Sequence, residues 1–452
     1  MKRIFVILLL FAMFAFPVSV LADMAPPANP PGSNLQPGAE STQVRMMAET
    51  VLVDVKNDTT PNSLGSAAVT ADFTMRNLGS IDESMAARFP ISSDNGYGKY
   101  PEITDIVIKV NGKQIPYHRT NYPDVRNWDQ TAVPWAEFDV TFPVGQDVAV
   151  EVSYDLQGTG YQNLPYTSYY YVLETGAGWK DTIGSADIIL RLPYAADPQN
   201  ILLESQLGSE TTPGGSIQGN EMRWHFENFE PTSNDNMEFD LVAPYAWQTV
   251  LKDRENVASN PNDGEGWGQL AKAYKAIFFL EKGYRPDAGG EEIYKSSVEA
   301  YEKCLMLLPN DAEWHAGFAD LLASRSRFDG AGNPNSDTYR GLHEIQTALQ
   351  LAPTDAKVQN IAQEISGMFP NSMVQNGNTY DFIWLTQTPT PWPTDTPAPQ
   401  QAPASTSQPV STAAPNNSSS KPSSPLCGAA ALAPLALALW SVRRHEPNDR
   451  IK

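Results

Sequence analysis

Three proline–aspartate stops constrain this chain more than any other feature. Pro261-Asn262-Asp263, Pro309-Asn310-Asp311 and Pro353-Thr354-Asp355 each follow an apolar run of helical periodicity and each precede another. A proline ends a helix because its ring clashes with the preceding turn and it offers no N–H. An aspartate two residues later can accept the unpaired N–H groups of the helix that follows. The same short motif therefore closes one helix and opens the next. The prolines stand 48 and 44 residues apart, so residues 247–370 are expected to form a repeated helical hairpin.

Counting back from Pro309 places Ser297, Tyr301 and Cys304 at small, aromatic and small sites of a second helix. Trp267, Leu270, Ala271 and Tyr274 supply the W-x-x-L-G-x-x-Y spacing of a first helix, with Ala271 in place of Gly. Phe318, Ala319 and Leu322 fit the next first helix, and Gly341, Ile345 and Ala348, closed by Pro353, fit its second. This pattern resembles the tetratricopeptide repeat, whose period is 34 residues. The excesses of 14 and 10 residues fall on "EKGYRPDAGG" and "FDGAGNPNSD", where turns tolerate insertion. Flanking helices are expected near Trp247–Val257 and Asp355–Met368. His315, with Trp314 beside it, departs from the usual Trp. The resemblance implies a concave surface lined by first helices, and there Gln269, Lys272, Lys275 and Asp320 are the candidate partner-binding residues. Lys272 and Lys275 are i, i+3 neighbours able to converge on a carboxylate; pairing with Glu265 and Glu281 is the plainer alternative.

Upstream the period changes to two. "AAVTADFTMRN" sets Val69, Ala71, Phe73 and Met75 on one face, with Thr70, Asp72, Thr74 and Arg76 on the other. Asn111-Gly112 lies between two apolar runs, a strong hairpin signal. Many short strands with regular turns indicate a β-sandwich over residues 44–246, either one large unit or two lobes parted near Gly158–Gly160. "YYYVLETGAGWKDTIGSADIILRLP", with Leu173, Thr175-Gly176, Trp179 and Ile183, resembles a family of secreted bacterial β-domains of unknown function. That resemblance implies a fold and no activity. The whole is expected to be multidomain β plus α, a sandwich followed by a tetratricopeptide-like hairpin array.

The two ends read as targeting segments. Lys2 and Arg3 precede an apolar run ending in "PVSVLA", the pattern of a signal peptide over residues 1–22. A Pro-rich linker follows over residues 23–43. Residues 371–425 are expected to be a disordered stalk; from Thr386 onward it holds ten Pro and fifteen Ser or Thr in forty residues. Leu426–Val442 is uncharged and about 26 Å long as a helix, at the short limit for spanning a bilayer. Arg443, Arg444 and His445 open a basic tail over residues 443–452, which places the bulk of the chain outside. The segment resembles bacterial C-terminal sorting signals, with Cys427 at its head. A bacterial envelope location with a single C-terminal anchor is expected.

The net charge of −21, or −23 without Lys2 and Arg3, argues against nucleic acid as a partner. Two cysteines, Cys304 and Cys427, make no disulfide scaffold. Five histidines, at 118, 225, 315, 343 and 445, show no paired-ligand spacing, and no nucleophile elbow or phosphate loop occurs. No catalytic residue, metal or cofactor is expected. The loop Asp329–Asp337 offers oxygen ligands without the EF-hand register. Tyr161, Tyr166, Tyr169, Tyr170 and Tyr171 suit cross-strand packing better than sugar stacking. The expected function is a non-enzymatic interaction protein that binds a protein or peptide; a glycan-binding module or hydrolase in the β-domain is the alternative.

Overall fold

The computed structural model describes residues 36–37, 42–92, 101–123, 132–160, 164–173, 176, 178–203, 210–232, 235–281, 288–326 and 337–383. The expected signal peptide, most of the linker, the stalk beyond residue 383, the anchor and the basic tail lie outside the described residues. So do Tyr161, Thr175, Cys427 and the loop residues 329–336. Among the described residues no helix is long and apolar enough to cross a membrane.

The fold is mixed β and α. Its strands are β1 (Gln36–Pro37), β2 (Val44–Val55), β3 (Ser66–Asn77), β4 (Glu83–Pro90), β5 (Thr104–Val110), β6 (Lys113–Ile115), β7 (His118–Pro123) and β8 (Ala132–Phe142). There follow β9 (Asp147–Gln157), β10 (Tyr166–Tyr171), β11 (Ile183–Arg191), β12 (Ser216–Gln218), β13 (Glu221–Phe229) and β14 (Met237–Val242). Six helices come next: α1 (Pro244–Ser259), α2 (Gly264–Glu281), α3 (Ala288–Leu307), α4 (Ala312–Ser326), α5 (Asp337–Leu351) and α6 (Ala356–Met368). A hairpin of β15 (Met373–Asn376) and β16 (Thr379–Phe382) ends the described chain.

One eight-stranded sheet, β12-β13-β11-β2-β3-β9-β5-β6, runs through both halves of the β region. Its β11–β2 pair is parallel and joins the strands before Gly158 to those after Gly160. Strand β3 alternates as its sequence dictates, burying Val69, Ala71, Phe73 and Met75. Asn111 and Gly112 take positive φ (49° and 76°) in the β5–β6 turn, a twist that suits a two-residue hairpin. A second sheet, β1-β4-β8-β7, shares the core; Phe89 of β4 meets Tyr154 of β9 with ring centroids 5.5 Å apart.

A bulge between Met46 and Ala48 resets the alternation of β2. Val44 and Met46 point inward before it; Glu49, Val51 and Val53 do so after it. Glu49 is thereby carried into the core, where the Tyr171 hydroxyl donates to it at 2.9 Å. Gly184 lies against the bulge so closely that a Cβ would stand 2.2 Å from the Met47 carbonyl oxygen. No larger residue fits there.

A helix begins directly after the aspartate of each stop, and the carboxylates of Asp311 and Asp355 cap theirs. The carbonyls of Asp263, Asp311 and Asp355 accept the first helical bonds, from Trp267, His315 and Gln359. The Asp311 carboxylate accepts the Trp314 N–H at 3.0 Å, and that of Asp355 accepts Lys357 and Val358 at 2.9 and 3.0 Å. Helices α2 and α3 run antiparallel, with Gly264 against Leu307 and Leu308 at one end and Phe278 against Tyr294 at the other. Helices α4 and α5 do likewise, with His315 bonded to Glu344 and Leu322 against Gly341. Cys304 is buried, and burial pushes its thiol up to about 12.

No linker separates sheet from helices. Pro244 opens α1 directly after β14, and Trp247 packs on Tyr194 at 6.3 Å between ring centroids. Arg254 lies over both Trp247 and Tyr274, and donates to the Tyr274 hydroxyl at 2.6 Å and to Gln199 at 2.9 Å. One continuous core reaches from the sheets to Leu322 in α4. A second core joins α4, α5, α6 and the β15–β16 hairpin.

That hairpin corrects the expected start of the stalk at residue 371. Asn376-Gly377 is a turn signal like Asn111-Gly112, and Gly377 has φ 64°. Met373 is fully buried, and Ser366 donates to its carbonyl at 3.0 Å.

Replacing Asp355 by Ala should lower stability by about 1 kcal/mol, whereas Asp355→Asn should cost a few tenths, since Asn caps nearly as well. Urea unfolding of the two variants reads the difference; equal losses would mean the cap is not what holds the start of α6.

Candidate functional site

Helices α2, α4 and α6 line a groove of about 950 Å³. The residues four places after each stop-proline are Glu265, Glu313 and Lys357; those eight places after are Gln269, Gly317 and Ile361. All six line the groove. Sequence reasoning named Gln269 as a contact and Glu265 only as a partner for the lysines, although counting from Pro261, Pro309 and Pro353 finds the rest.

Glu265 organises one wall. Its carboxylate accepts Gln269 Nε2 and Trp314 Nε1, each at 3.0 Å. The Trp314 indole lies flat on α2, where a Cβ at Gly268 would stand 2.5 Å from the ring. Tyr301 meets Trp314 edge-on and stacks on Phe318, with centroids 6.4 and 5.2 Å away. Lys357 pairs with Glu313 at 2.7 Å across the exposed rim, a contact that contributes little to stability.

The two candidate lysines do not converge. Lys275 turns across to α4, where its ammonium lies 2.7 Å from Asp320 Oδ2 and donates to the Gly317 carbonyl at 3.0 Å. Both side chains are largely buried, so Lys275 and Asp320 serve each other rather than a ligand. The physical reason is desolvation: a cation leaving water on the inner side of α2 must take the nearest carboxylate. Lys272 is exposed in the groove and has no ion-pair partner among the described residues. Gln269 is exposed beside it.

The repeat-pattern positions behave as packing residues. Leu270, Ala271, Tyr274, Tyr301, Cys304, Phe318, Ala319, Leu322 and Ala348 are all buried. Six places after each proline stands a side chain that returns a hydrogen bond to that proline's carbonyl. Trp267 Nε1 reaches Pro261 at 2.9 Å, His315 Nε2 reaches Pro309 at 3.0 Å, and Gln359 Nε2 reaches Pro353 at 2.6 Å. These carbonyls lie in the turns just beyond each helix and accept no backbone N–H among the described residues. An N–H donor is what the position requires, which accounts for His315 where a Trp was expected.

His315 carries a further constraint. Its Nδ1 lies 2.5 Å from the Glu344 carboxylate while Nε2 faces a carbonyl. Both partners accept only, so both ring nitrogens must be protonated. Burial lowers the imidazole pKa, but the bonds to Glu344 and Pro309 outweigh it and the net shift is upward.

Elsewhere, Tyr169 and Tyr171 are buried in the core and Tyr166 nearly so; Tyr170 donates to Glu238 at 2.6 Å. The tyrosine run is a packing feature. His225 bridges Asp187 and Glu227 on an exposed face of the large sheet. Among the described residues no group of three or more His, Cys, Asp or Glu is placed to hold a metal.

No protein-family profile and no curated protein matches the chain. Among solved structures it is similar to a Legionella pneumophila protein provisionally assigned as a nutrient binding protein. Identity is 19%, the TM-score is 0.42, and the match covers 62% of this chain and 97% of that one. It is also similar to an M1 zinc metallopeptidase from Deinococcus radiodurans at 7% identity and TM-score 0.26, covering 44% of this chain and 42% of the peptidase. The chain thus spans less than half of the peptidase. Likenesses at these scores carry no argument about fold or activity.

The His315 geometry gives a pH dependence. A folded pKa raised above the ordinary 6.5 contributes stability that is complete below about pH 6.5. It is lost as pH rises through the raised value. Thermal unfolding from pH 5.5 to 8.5 should show this decline, and His315→Gln, which keeps a donor for Pro309, should remove the His315 part of it. Identical slopes in the two proteins would mean His315 is neutral.

Proposed function

We propose that the chain is a non-enzymatic, envelope-anchored interaction protein whose tetratricopeptide-like helices bind an acidic peptide or protein segment in the groove. On this reading the two facing sheets form a single β-sandwich on which the array is mounted. The leader, stalk and C-terminal apolar segment place both outside the cell. The carrying observation is that equivalent positions of α2, α4 and α6 line one groove, in which Lys272 is a cation with no ion-pair partner among the described residues. In a chain of net charge −21, an exposed lysine beside Gln269 and the Trp314 indole suits a carboxylate that carries apolar groups. The acidic residues of the groove have donors of their own. Asp311 and Asp355 are engaged as helix caps, Glu265 holds Gln269 and Trp314, and Glu313 holds Lys357.

The test is binding of acidic and charge-neutral fluorescent peptides of equal length to the full chain at low and moderate salt. The acidic set should bind more tightly, and added salt should weaken it because the contact is exposed. Lys272→Glu should abolish that preference without changing thermal stability. Lys275→Glu should instead destabilise the fold, by about 3 kcal/mol or more, since it sets two carboxylates against each other in a largely buried site. Equal binding of both peptide sets, or acidic-peptide binding indifferent to Lys272→Glu, would remove the groove from this role.

A further inference from the structure

Strand β14 presents Glu238 and Asp240 on one face, opposite Tyr170 and Ser168 of β10 in the strand register. Asp240 is fully buried. Its Oδ1 accepts the Ser168 hydroxyl and, at 3.1 Å, that of Tyr166. Its Oδ2 is also buried and has no donor in the described structure. The Glu238 carboxyl lies on the same face of β14 as Asp240 and accepts the Tyr170 hydroxyl at 2.6 Å. Other donors nearby are committed. The N–H groups of Glu238 and Asp240 go to the Thr212 and Thr211 hydroxyls, each at 2.9 Å. No cation pairs with either carboxyl among the described residues. The further charged group that faces them, Glu210, is an acid and adds repulsion. A fully buried carboxylate and a half-buried one beside it on the same strand face cannot both ionise cheaply. One proton held between the two carboxyls would satisfy Asp240 Oδ2.

From this geometry we infer that Glu238 and Asp240 share one proton, and that its loss loosens the β10–β14 pair from which the helical array springs. The link to the array is short. Strand β14 ends at Val242, the Ala243 N–H donates to the Pro165 carbonyl at 2.8 Å, and α1 begins at Pro244. Loosening β14 therefore moves the root of α1. Burial first, then the Asp240 charge, raises the Glu238 carboxyl from 4.5 to about 7. The acid form stabilises the closed pair fully below about pH 4.5, and the effect is lost as pH rises to about 7, where both open and closed forms are ionised. The joint acts independently of what the groove binds.

Hydrogen exchange of the full chain, read by mass spectrometry between pH 4.5 and 8, tests this. After correction for intrinsic exchange, peptides covering 166–171 and 237–243 should lose protection relative to β3. The loss should approach tenfold per pH unit for one proton and level off near pH 7. Glu238→Gln, whose amide can donate to Asp240 permanently, should hold these peptides at their low-pH protection throughout. A wild-type profile that runs parallel to β3, or the same pH profile in Glu238→Gln as in wild type, overturns the inference. If Glu238→Gln fails to fold, the wild-type protein alone still decides. Its infrared spectrum at pH 6 should contain the carbonyl band of a buried protonated carboxylic acid that disappears above pH 8, and absence of that band overturns the inference.

Discussion

The join at Ala243–Pro244 is the constraint on which the molecule depends. A strand buried between hydrogen-bonded neighbours becomes a helix with no intervening linker, so neither part can rotate without breaking the other's packing. The proline supports the change of state, since its fixed φ suits a helix start and its missing N–H costs nothing there. Arg254 then ties the first helix to both sides, lying over Trp247 and Tyr274 while bonding Gln199 from the β region. Gly289 completes the seam; a Cβ there would lie 2.0 Å from the Pro198 carbonyl oxygen. The helical array is thus an extension of the sheet core.

Charge in this acidic chain is managed by giving each inward carboxylate a specific donor. Tyr171 serves Glu49, Tyr166 and Ser168 serve Asp240, Tyr170 serves Glu238, and Lys275 serves Asp320. Hydroxyls do this in the β region, where a lysine or arginine would itself need desolvating. The tyrosine run of β10 therefore has two roles on its two faces. Tyr169 and Tyr171 fill the core, where Tyr171 also serves Glu49, while Tyr166 and Tyr170 on the other face turn their hydroxyls to Asp240 and Glu238.

Much of the framework was legible in the sequence. The proline–aspartate stops locate three helix starts to the residue, because the chemistry of a cap is local. The alternation of β3 and the Asn111-Gly112 turn read directly for the same reason. The groove was read in part. The repeat resemblance pointed to the face of α2, but the pairing of Lys275 with Asp320 depends on how far α4 stands from α2, which no local pattern encodes. The bulge in β2 and the inward turn of Glu49 were invisible, since one inserted residue reverses the face of everything after it. The β15–β16 hairpin was obscured by the Pro-rich composition that begins just beyond it, although Asn376-Gly377 marked its turn.

That last hairpin sets a length. Tyr380 and Phe382 pack on the same core as α5 and α6, covering apolar surface that a further pair of helices would need. The groove spans α2, α4 and α6. With neighbouring helices roughly 10 Å apart, the distance across the three is about 20 Å. An extended ligand covers that with about six residues. On the reading proposed above, the groove sets a length for its ligand as well as a chemistry.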